Sequence, residues 1–297
     1  MRTFVIIGGT GHTGKPIALG LLEKGHKVRI VSRNADKAKD LIDKGAEHFP
    51  GSSLDTALLK RAFEGADALY AMIPFDYSAI DYTAMQESHV KAIAEALKRS
   101  TIKYVVTLSS IGAHLDSGGG VVQGLHTMEQ LFNTLEGINV LHLRPAYFLE
   151  NALGLIGMIK MMGILGTPLK GDLKLPMVAT KDIAAVGLKH LLALDFSGKS
   201  HEYILGARDY SYNEIVKIYG KAIGKPDLNY VQFPYEDAKT GMMQMGMGES
   251  VSGKMIEFVK SVNEGRVQEE IKRTPGNTTP TTAEEFAHVF KMVYENS

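Results

Sequence analysis

A glycine-rich segment constrains the fold of this chain more than any other feature. Gly8–Gly14 reads Gly-Gly-Thr-Gly-His-Thr-Gly, follows the β-rich apolar run Thr3–Ile7 and precedes a predicted helix over 15–24. Where a strand turns into a helix, glycines without Cβ atoms let a pyrophosphate approach, and the helix N-terminus offers free N–H groups. The glycines at 8, 11 and 14 are spaced more loosely than G-x-G-x-x-G, although those at 9, 11 and 14 satisfy it. The segment predicts a dinucleotide-binding unit, with a plain glycine-rich turn as the alternative.

Strand-like and helix-like segments alternate along the first 150 residues, as in parallel sheets whose strands are joined by helices. We expect an α/β fold, a doubly wound parallel-sheet Rossmann domain over 1–150 with a return segment at about 175–206. Because the alternation weakens beyond residue 151, segments 151–174 and 207–297 are predicted to form a smaller, interleaved α/β domain on the substrate side. Gly241–Met255 holds five of the fourteen methionines, which predicts a flexible flap or an ordinary disordered loop.

The composition excludes several classes of function. The charges balance at 33 basic and 33 acidic residues, so no basic stripe argues for nucleic acid. Without cysteine there can be no disulfide, thiol nucleophile or Cys-ligated zinc, and we expect no metal site. Because the N-terminus enters a strand directly we expect no signal peptide, and the chain has no apolar run of about 18 residues. We therefore expect a soluble, cytoplasmic protein that contacts neither nucleic acid nor a membrane.

The second predicted strand, Lys27–Ser32, ends at Arg33. In dinucleotide folds this position faces the adenosine ribose, where a carboxylate would bind the 2′-hydroxyl and favour NAD. An arginine can pair with a 2′-phosphate instead, and Lys37 lies close enough to assist. The sequence thus predicts NADP(H) as the cofactor, unless Arg33 is an ordinary surface charge that Asp36 neutralises.

Further contacts are expected at the carboxyl ends of the strands, where α/β sheets bind ligands. Asp55 is predicted either to contact the cofactor or to cap the helix that follows it. The Ser109 hydroxyl would point toward the nicotinamide or cap the end of its strand, and His89 is expected at the surface or partly packed. The predicted cofactor-binding residues are Gly8, Thr10, Gly11, His12, Thr13, Gly14, Arg33, Lys37, Asp55, Ile73, Pro74, Ser109, Pro145 and Tyr147.

Several short motifs occur together along the chain. They are the Gly8–Gly14 loop, Arg33, Leu54-Asp55, Ser109–Gly112, His126 with Glu129, Arg144–Asn151, Val178–Ile183 and Arg273–Ala287. The most specific is Arg144–Asn151, which reads Arg-Pro-Ala-Tyr-Phe-Leu-Glu-Asn. With these motifs nearly the whole chain resembles the NmrA-like group of atypical short-chain dehydrogenases/reductases. The resemblance implies a Rossmann domain that binds NADP(H) and a smaller C-terminal domain that closes over the nicotinamide.

The wider superfamily uses a Tyr-x-x-x-Lys pair, in which the tyrosine donates a proton and the lysine lowers its pKa. Here the helix after the fifth strand carries His126–Gln130 without either residue, and Tyr235–Lys239 matches the letters far past the cofactor strands. His126 is a candidate proton donor, because an unperturbed histidine has a pKa of about 6.5, or else a structural helix residue. Tyr147 is the second catalytic candidate and is expected to orient substrate.

Two functions are consistent with these residues. The first is an oxidoreductase that transfers a hydride from NADPH to a small aromatic or quinone-like acceptor, with Phe75, Tyr77, Tyr147 and Phe148 as aromatic walls. The second is a non-catalytic protein that senses NAD(P)H and signals through a regulatory protein partner. The missing Tyr-x-x-x-Lys pair favours the second.

Overall fold

The computed structural model describes all 297 residues and is built around one seven-stranded sheet. The strands are β1 (Thr3–Ile7), β2 (Lys27–Ser32), β3 (Glu47–Pro50), β4 (Ala68–Ala71), β5 (Tyr104–Leu108), β6 (Asn139–Pro145), β7 (Tyr147–Phe148), β8 (Ile164–Thr167), β9 (Leu175–Val178), β10 (Lys199–Ile204), β11 (Asp209–Tyr210) and β12 (Asn229–Gln232). The α-helices are α1 (Gly14–Glu23), α2 (Lys39–Ile42), α3 (Thr56–Phe63), α4 (Tyr82–Leu97), α5 (Gln123–Asn133), α6 (Ile156–Met162), α7 (Thr180–Ala193), α8 (Tyr212–Ala222), α9 (Tyr235–Gln244), α10 (Glu249–Asn263) and α11 (Ala283–Asn296).

The seven strands run parallel in the order β10-β6-β5-β4-β1-β2-β3. From β1 the chain moves outward to β2 and β3, and then crosses back to pair β4 with the other side of β1. This reversal opens a crevice at the carboxyl ends of β1 and β4, where doubly wound sheets bind their ligands. The predicted α/β Rossmann class is confirmed.

The first strand is apolar from Phe4 to Ile7, without alternation, because both of its faces are buried. Phe4 and Ile6 join one core of 47 buried residues, while Val5 and Ile7 join a second core of 23 on the opposite face. Successive strand residues point to opposite faces, and helices cover both faces of a parallel sheet. Helices α1 and α7 pack together against the first face, and α3, α4 and α5 form a layer on the second.

The C-terminal elements share the larger core. Two small sheets, β11-β9-β7 and β12-β8, lie outside the main sheet, while β10 adds a strand beside β6. Tyr219 of α8 stacks on Phe290 of α11 with ring centroids 4.4 Å apart, and both side chains are fully buried. The same buried cluster continues to Phe4 and Ile6 of β1, so the substrate-side elements and the main sheet are held by continuous apolar packing.

The disordered-loop alternative for Gly241–Met255 is wrong, and so is the surface or partly packed position expected for His89, whereas the flap stays a prediction. Gly241–Met255 is helical: α9 and α10 flank a turn over residues 245–248. Methionine is a good helix former, and within that turn only Gly246, with φ of +90°, has left-handed backbone. His89 is buried at 6% exposure, because α4 lies between α3 and α5 and this position faces inward.

The structure contains neither a candidate membrane-spanning helix nor a candidate metal site. No helix is both long and apolar enough to cross a membrane. No group of three or more histidine, aspartate or glutamate side chains is arranged to hold a metal ion.

Candidate functional site

Glycines leave the backbone accessible in the turn between β1 and α1. Gly8 has φ of +75°, and its carbonyl accepts a hydrogen bond from the Gly11 N–H at 2.9 Å. A Cβ at Gly14 would overlap the Gly8 carbonyl oxygen, whereas a Cβ at Gly11 would meet only that oxygen, at 3.3 Å. Gly14 therefore allows α1 to pack against the end of β1, while Gly11 leaves free surface over the turn.

The first turn of α1 presents free N–H groups. Thr13 precedes the helix, but its hydroxyl caps no N–H and instead accepts a hydrogen bond from the Tyr70 hydroxyl at 3.0 Å. The N–H groups of His12 and Thr13 donate to no main-chain carbonyl. Unpaired N–H groups at the positive end of a helix dipole bind anions, so this turn fits the pyrophosphate of a dinucleotide.

An open cleft of about 570 Å³ lies beside this turn. Its lining residues are Thr10, Lys15, Asp36, Lys37, Lys39, Asp40 and Asp43. Lys15 is held by Asp40 at 2.6 Å and Lys39 by Asp43 at 3.0 Å, whereas Lys37 forms no ion pair. The cleft thus offers one lysine without an ion pair, Lys37, five residues past the end of β2 and among equal numbers of lysines and aspartates.

Arg33 is exposed beside this cleft but does not line it. It forms no ion pair within the chain. Hydrogen bonds from Ser78 lower the pKa of Asp76, and the charge of Arg33 lowers that pKa further. Arg33 therefore lies between the cleft and the loop after β4, with its guanidinium free for a ligand.

Asp55 caps α3, because its Oδ1 accepts a hydrogen bond from the Leu58 N–H at 2.9 Å. The predicted helix cap is therefore confirmed, and a cofactor contact of Asp55 stays a prediction. Next to it the Ser53 hydroxyl lies 2.8 Å from Nδ1 of the buried His89. This pair fixes the loop after β3 to α4.

The ends of β5 and β6 are joined by a buried polar network that the sequence did not predict. The Ser109 hydroxyl donates to Glu129, so it is directed away from the crevice, and Arg144 donates to both oxygens of Glu129, at 3.0 and 2.5 Å. Arg144 also donates to the Tyr203 hydroxyl at 3.1 Å. Burial alone would raise the pKa of Glu129, but the Arg144 hydrogen bonds bring it below its ordinary value. The only sequence signal was the joint occurrence of Ser109, Glu129 and Arg144 in the family motifs.

His126 is anchored to the main chain. Its Nδ1 lies 2.9 Å from the Ala113 carbonyl, which can only accept, so Nδ1 carries the proton. In the neutral ring Nε2 is then an acceptor, and it lies 3.7 Å from a carboxylate oxygen of the exposed Asp116. The geometry supports the structural role of His126, and a catalytic role stays a prediction.

Tyr147 lies just past the carboxyl end of β6 and is partly exposed. Its hydroxyl oxygen accepts a hydrogen bond from the Tyr212 hydroxyl at 3.2 Å. Burial raises the pKa of Tyr147, and hydrogen bonds with Tyr212 and Asn151 oppose that rise. The predicted contacts Ile73 and Pro74 follow β4, and Pro145 ends β6, so these residues border the same edge of the sheet.

The loop after β4 is fastened to the methionine-rich turn between α9 and α10. The Gly248 N–H donates to the Tyr77 carbonyl at 2.8 Å, and the Tyr82 N–H donates to the Ser250 hydroxyl at 3.0 Å. Phe75 packs on Tyr77 with ring centroids 4.7 Å apart. Tyr77 and Met245 remain 62% and 72% exposed, so the joined loop and turn present apolar surface to solvent.

Comparison with known proteins identifies the family. The model of the NmrA-like family matches residues 1–287. The chain belongs to the NmrA-like family. The NAD(P)H azoreductase of Xenophilus azovorans is 27% identical over 254 residues, which cover 86% of this chain and 85% of the azoreductase.

Two solved structures share the fold. The NADPH-dependent quinone oxidoreductase of Escherichia coli, complexed with NADPH, has a TM-score of 0.80 at 19% identity, with 97% of this chain and 99% of that one covered. The negative transcriptional regulator NmrA, complexed with NADP, has a TM-score of 0.66 at 16% identity, with 99% and 93% covered. The fold is thus common to reductases and to a regulator.

Proposed function

We propose that this protein binds NADP(H) and transfers a hydride from NADPH to a small aromatic or quinone-like acceptor. The observation that carries the proposal is the cradle of unpaired N–H groups between β1 and α1, at the reversal point of the sheet. Lys37, which lines the cleft beside it without forming an ion pair, and the unpaired Arg33 next to that cleft support a phosphorylated ribose. The reduced nicotinamide supplies the hydride when it is bound.

The residues of the chain then have distinct tasks. The N–H groups of His12 and Thr13 hold the pyrophosphate, while Lys37 and Arg33 hold the 2′-phosphate. The carboxyl ends of β5 and β6 form the floor of the nicotinamide side, and the Glu129–Arg144 pair keeps that floor rigid. The fastened loop after β4 and the turn before α10 cover the site and exclude water from it.

The class of acceptor follows from the walls of the crevice. Phe75, Tyr77, Tyr147 and Phe148 offer aromatic surface, which packs against flat conjugated rings. Methionines at the turn between α9 and α10 can adapt to rings of different shape. The similarity to an azoreductase and a quinone oxidoreductase supports the same class, since both names describe conjugated acceptors.

A sensor of NADP(H) that acts through a protein partner is the second candidate. It is favoured by the absence of the Tyr-x-x-x-Lys pair from α5, where His126–Gln130 stand instead. The fold similarity to the regulator NmrA is consistent with it.

Steady-state consumption of NADPH separates the two functions. Purified protein is assayed with a panel of quinones, azo dyes and dicarbonyl compounds, and cofactor affinity is measured in parallel by titration. Turnover of a quinone or azo dye supports the reductase. Tight NADPH binding without turnover of any acceptor contradicts it and favours the sensor.

A further inference from the structure

Two tyrosines outside the predicted site, Tyr212 and Tyr230, form a line with Tyr147, which lies at the crevice. Tyr212 is 2% exposed, and its ring stacks on Tyr230 with centroids 5.1 Å apart. The rings of Tyr147 and Tyr212 are nearly perpendicular, with centroids 6.2 Å apart. Tyr147 is the only member of the line beside the ends of the main sheet, and the other two belong to C-terminal elements.

The hydrogen bonds fix the direction of the hydroxyl protons. The Tyr230 hydroxyl is engaged by Thr167 Oγ1 at 2.6 Å and by the Leu169 carbonyl at 2.7 Å. The buried Tyr212 hydroxyl has one partner, the Tyr147 oxygen, and a buried O–H left without an acceptor is costly. Tyr212 therefore donates to Tyr147, and the proton of Tyr147 is left free to point elsewhere.

The surroundings of Tyr147 suit a proton donor. Burial raises the pKa of Tyr147, and the hydrogen bond from Tyr212 opposes that rise because it stabilises the phenolate that forms when the proton leaves. Burial keeps Tyr212 itself protonated, because it raises the pKa of that phenol well above its ordinary range. His126, by contrast, uses its Nδ1 proton to hold the Ala113 carbonyl.

We propose that Tyr147 donates the proton that accompanies hydride transfer and that Tyr212 is the positioning residue that orients its hydroxyl. The inference rests on the proposed reductase function. The acceptor gains a hydride from the reduced nicotinamide, which is thereby oxidised. The O–H bond of Tyr147 breaks, its proton goes to the acceptor oxygen or nitrogen that carries the new negative charge, and the phenolate regains a proton from water.

The kinetic test compares three variants in which a tyrosine is replaced by phenylalanine. Tyr147→Phe is expected to lower kcat about 10²-fold or more while NADPH affinity stays the same, as for the loss of a general acid. Tyr212→Phe is expected to lower kcat less and to shift the alkaline limb of the pH–rate profile. Tyr219→Phe is the control, because Tyr219 is on the same helix α8, is fully buried and has a hydroxyl without a partner. It is expected to retain the wild-type rate.

A second measurement does not depend on turnover. With the hydroxyl-bearing ring carbons of tyrosine labelled with ¹³C, NMR follows the titration of Tyr147 in the free protein. Tyr212→Phe is expected to move this titration to higher pH, because the phenolate loses a donor, while Tyr219→Phe leaves it unchanged. An unchanged titration in Tyr212→Phe overturns the positioning role.

The outcomes distinguish failure of the reductase function from failure of the donor role of Tyr147. If wild-type protein turns over no acceptor, the reductase function fails and the donor role of Tyr147 fails with it. If wild-type protein is active and Tyr147→Phe keeps the full rate, the donor role alone is overturned. Loss of activity in His126→Ala together with full activity in Tyr147→Phe would assign the proton to His126.

Discussion

A single exposed residue, Arg33, is the chain's main candidate for choosing between the two cofactors. Its guanidinium forms no ion pair, whereas the nearby Lys15 is committed to Asp40. Guanidinium can meet two phosphate oxygens at once, and hydrogen bonds to charged groups contribute about 1.5–3 kcal/mol. We predict that Arg33→Ala weakens NADPH binding about 10- to 100-fold and leaves NADH binding nearly unchanged.

Calorimetric titration of both cofactors tests this prediction. The matched control is Lys44→Ala, which removes a charge from an exposed position just after α2. The wild-type preference for NADPH should shrink as salt rises, because the site is open to solvent. Equal weakening of both cofactors in Arg33→Ala would show that Arg33 does not read the 2′-phosphate.

At the scale of elements, two glycines in the turn between β1 and α1 have different roles, one in cofactor binding and one in stability. A Cβ at Gly11 would meet only the Gly8 carbonyl oxygen, at 3.3 Å, whereas a side chain at Gly14 would overlap that oxygen. We predict that Gly11→Val abolishes NADPH binding with little change in thermal stability, and that Gly14→Ala lowers the stability itself. Thermal unfolding and cofactor titration of both variants check the pair. Unchanged NADPH affinity in folded Gly11→Val would contradict the assignment of this turn to phosphate.

The elements that could be predicted from sequence are those with local signals. The apolar strands, the Gly8–Gly14 turn and the Asp55 cap depend on residues close in the chain, and these signals were sufficient for the α/β class and its parallel sheet, whereas the strand order came from the structure. The Ser109–Glu129–Arg144 network joins three elements that only tertiary packing brings together, so no local pattern reveals its geometry. The methionine-rich segment was mispredicted because its glycines were taken as breaks, although Gly241 and Gly253 lie within helices.

At the scale of the whole molecule, buried polar groups connect the central sheet to the layer of helices that covers it. His142 of β6 lies 2.8 Å from the Thr107 hydroxyl on β5 and 3.1 Å from the side-chain oxygen of Asn133 on α5. The histidine thereby ties two strands to one helix. Its ring is 2% exposed, so its charge state affects the stability of the entire fold.

Burial lowers the pKa of His142 to about 4, while Glu129 opposes the shift. Three further charged groups, Arg144, His201 and Lys199, lower the pKa as well. The folded protein therefore keeps this ring neutral down to about pH 4, whereas the unfolded chain takes up a proton below about pH 6.5. Within that window the unfolded state binds more protons, so stability must fall as the pH falls.

We predict that the shifted pKa of His142 lowers the free energy of unfolding by up to about 3 kcal/mol as the pH falls from 7 to 4. His142→Gln keeps groups that can bond Thr107 and Asn133 but cannot be protonated, so its stability should depend less steeply on pH. Urea unfolding of both proteins at several pH values gives the difference. His288→Gln, at an exposed position on α11, is the control and should keep the wild-type slope. Parallel pH curves for wild type and His142→Gln would mean that this histidine is not the group that the fold holds neutral.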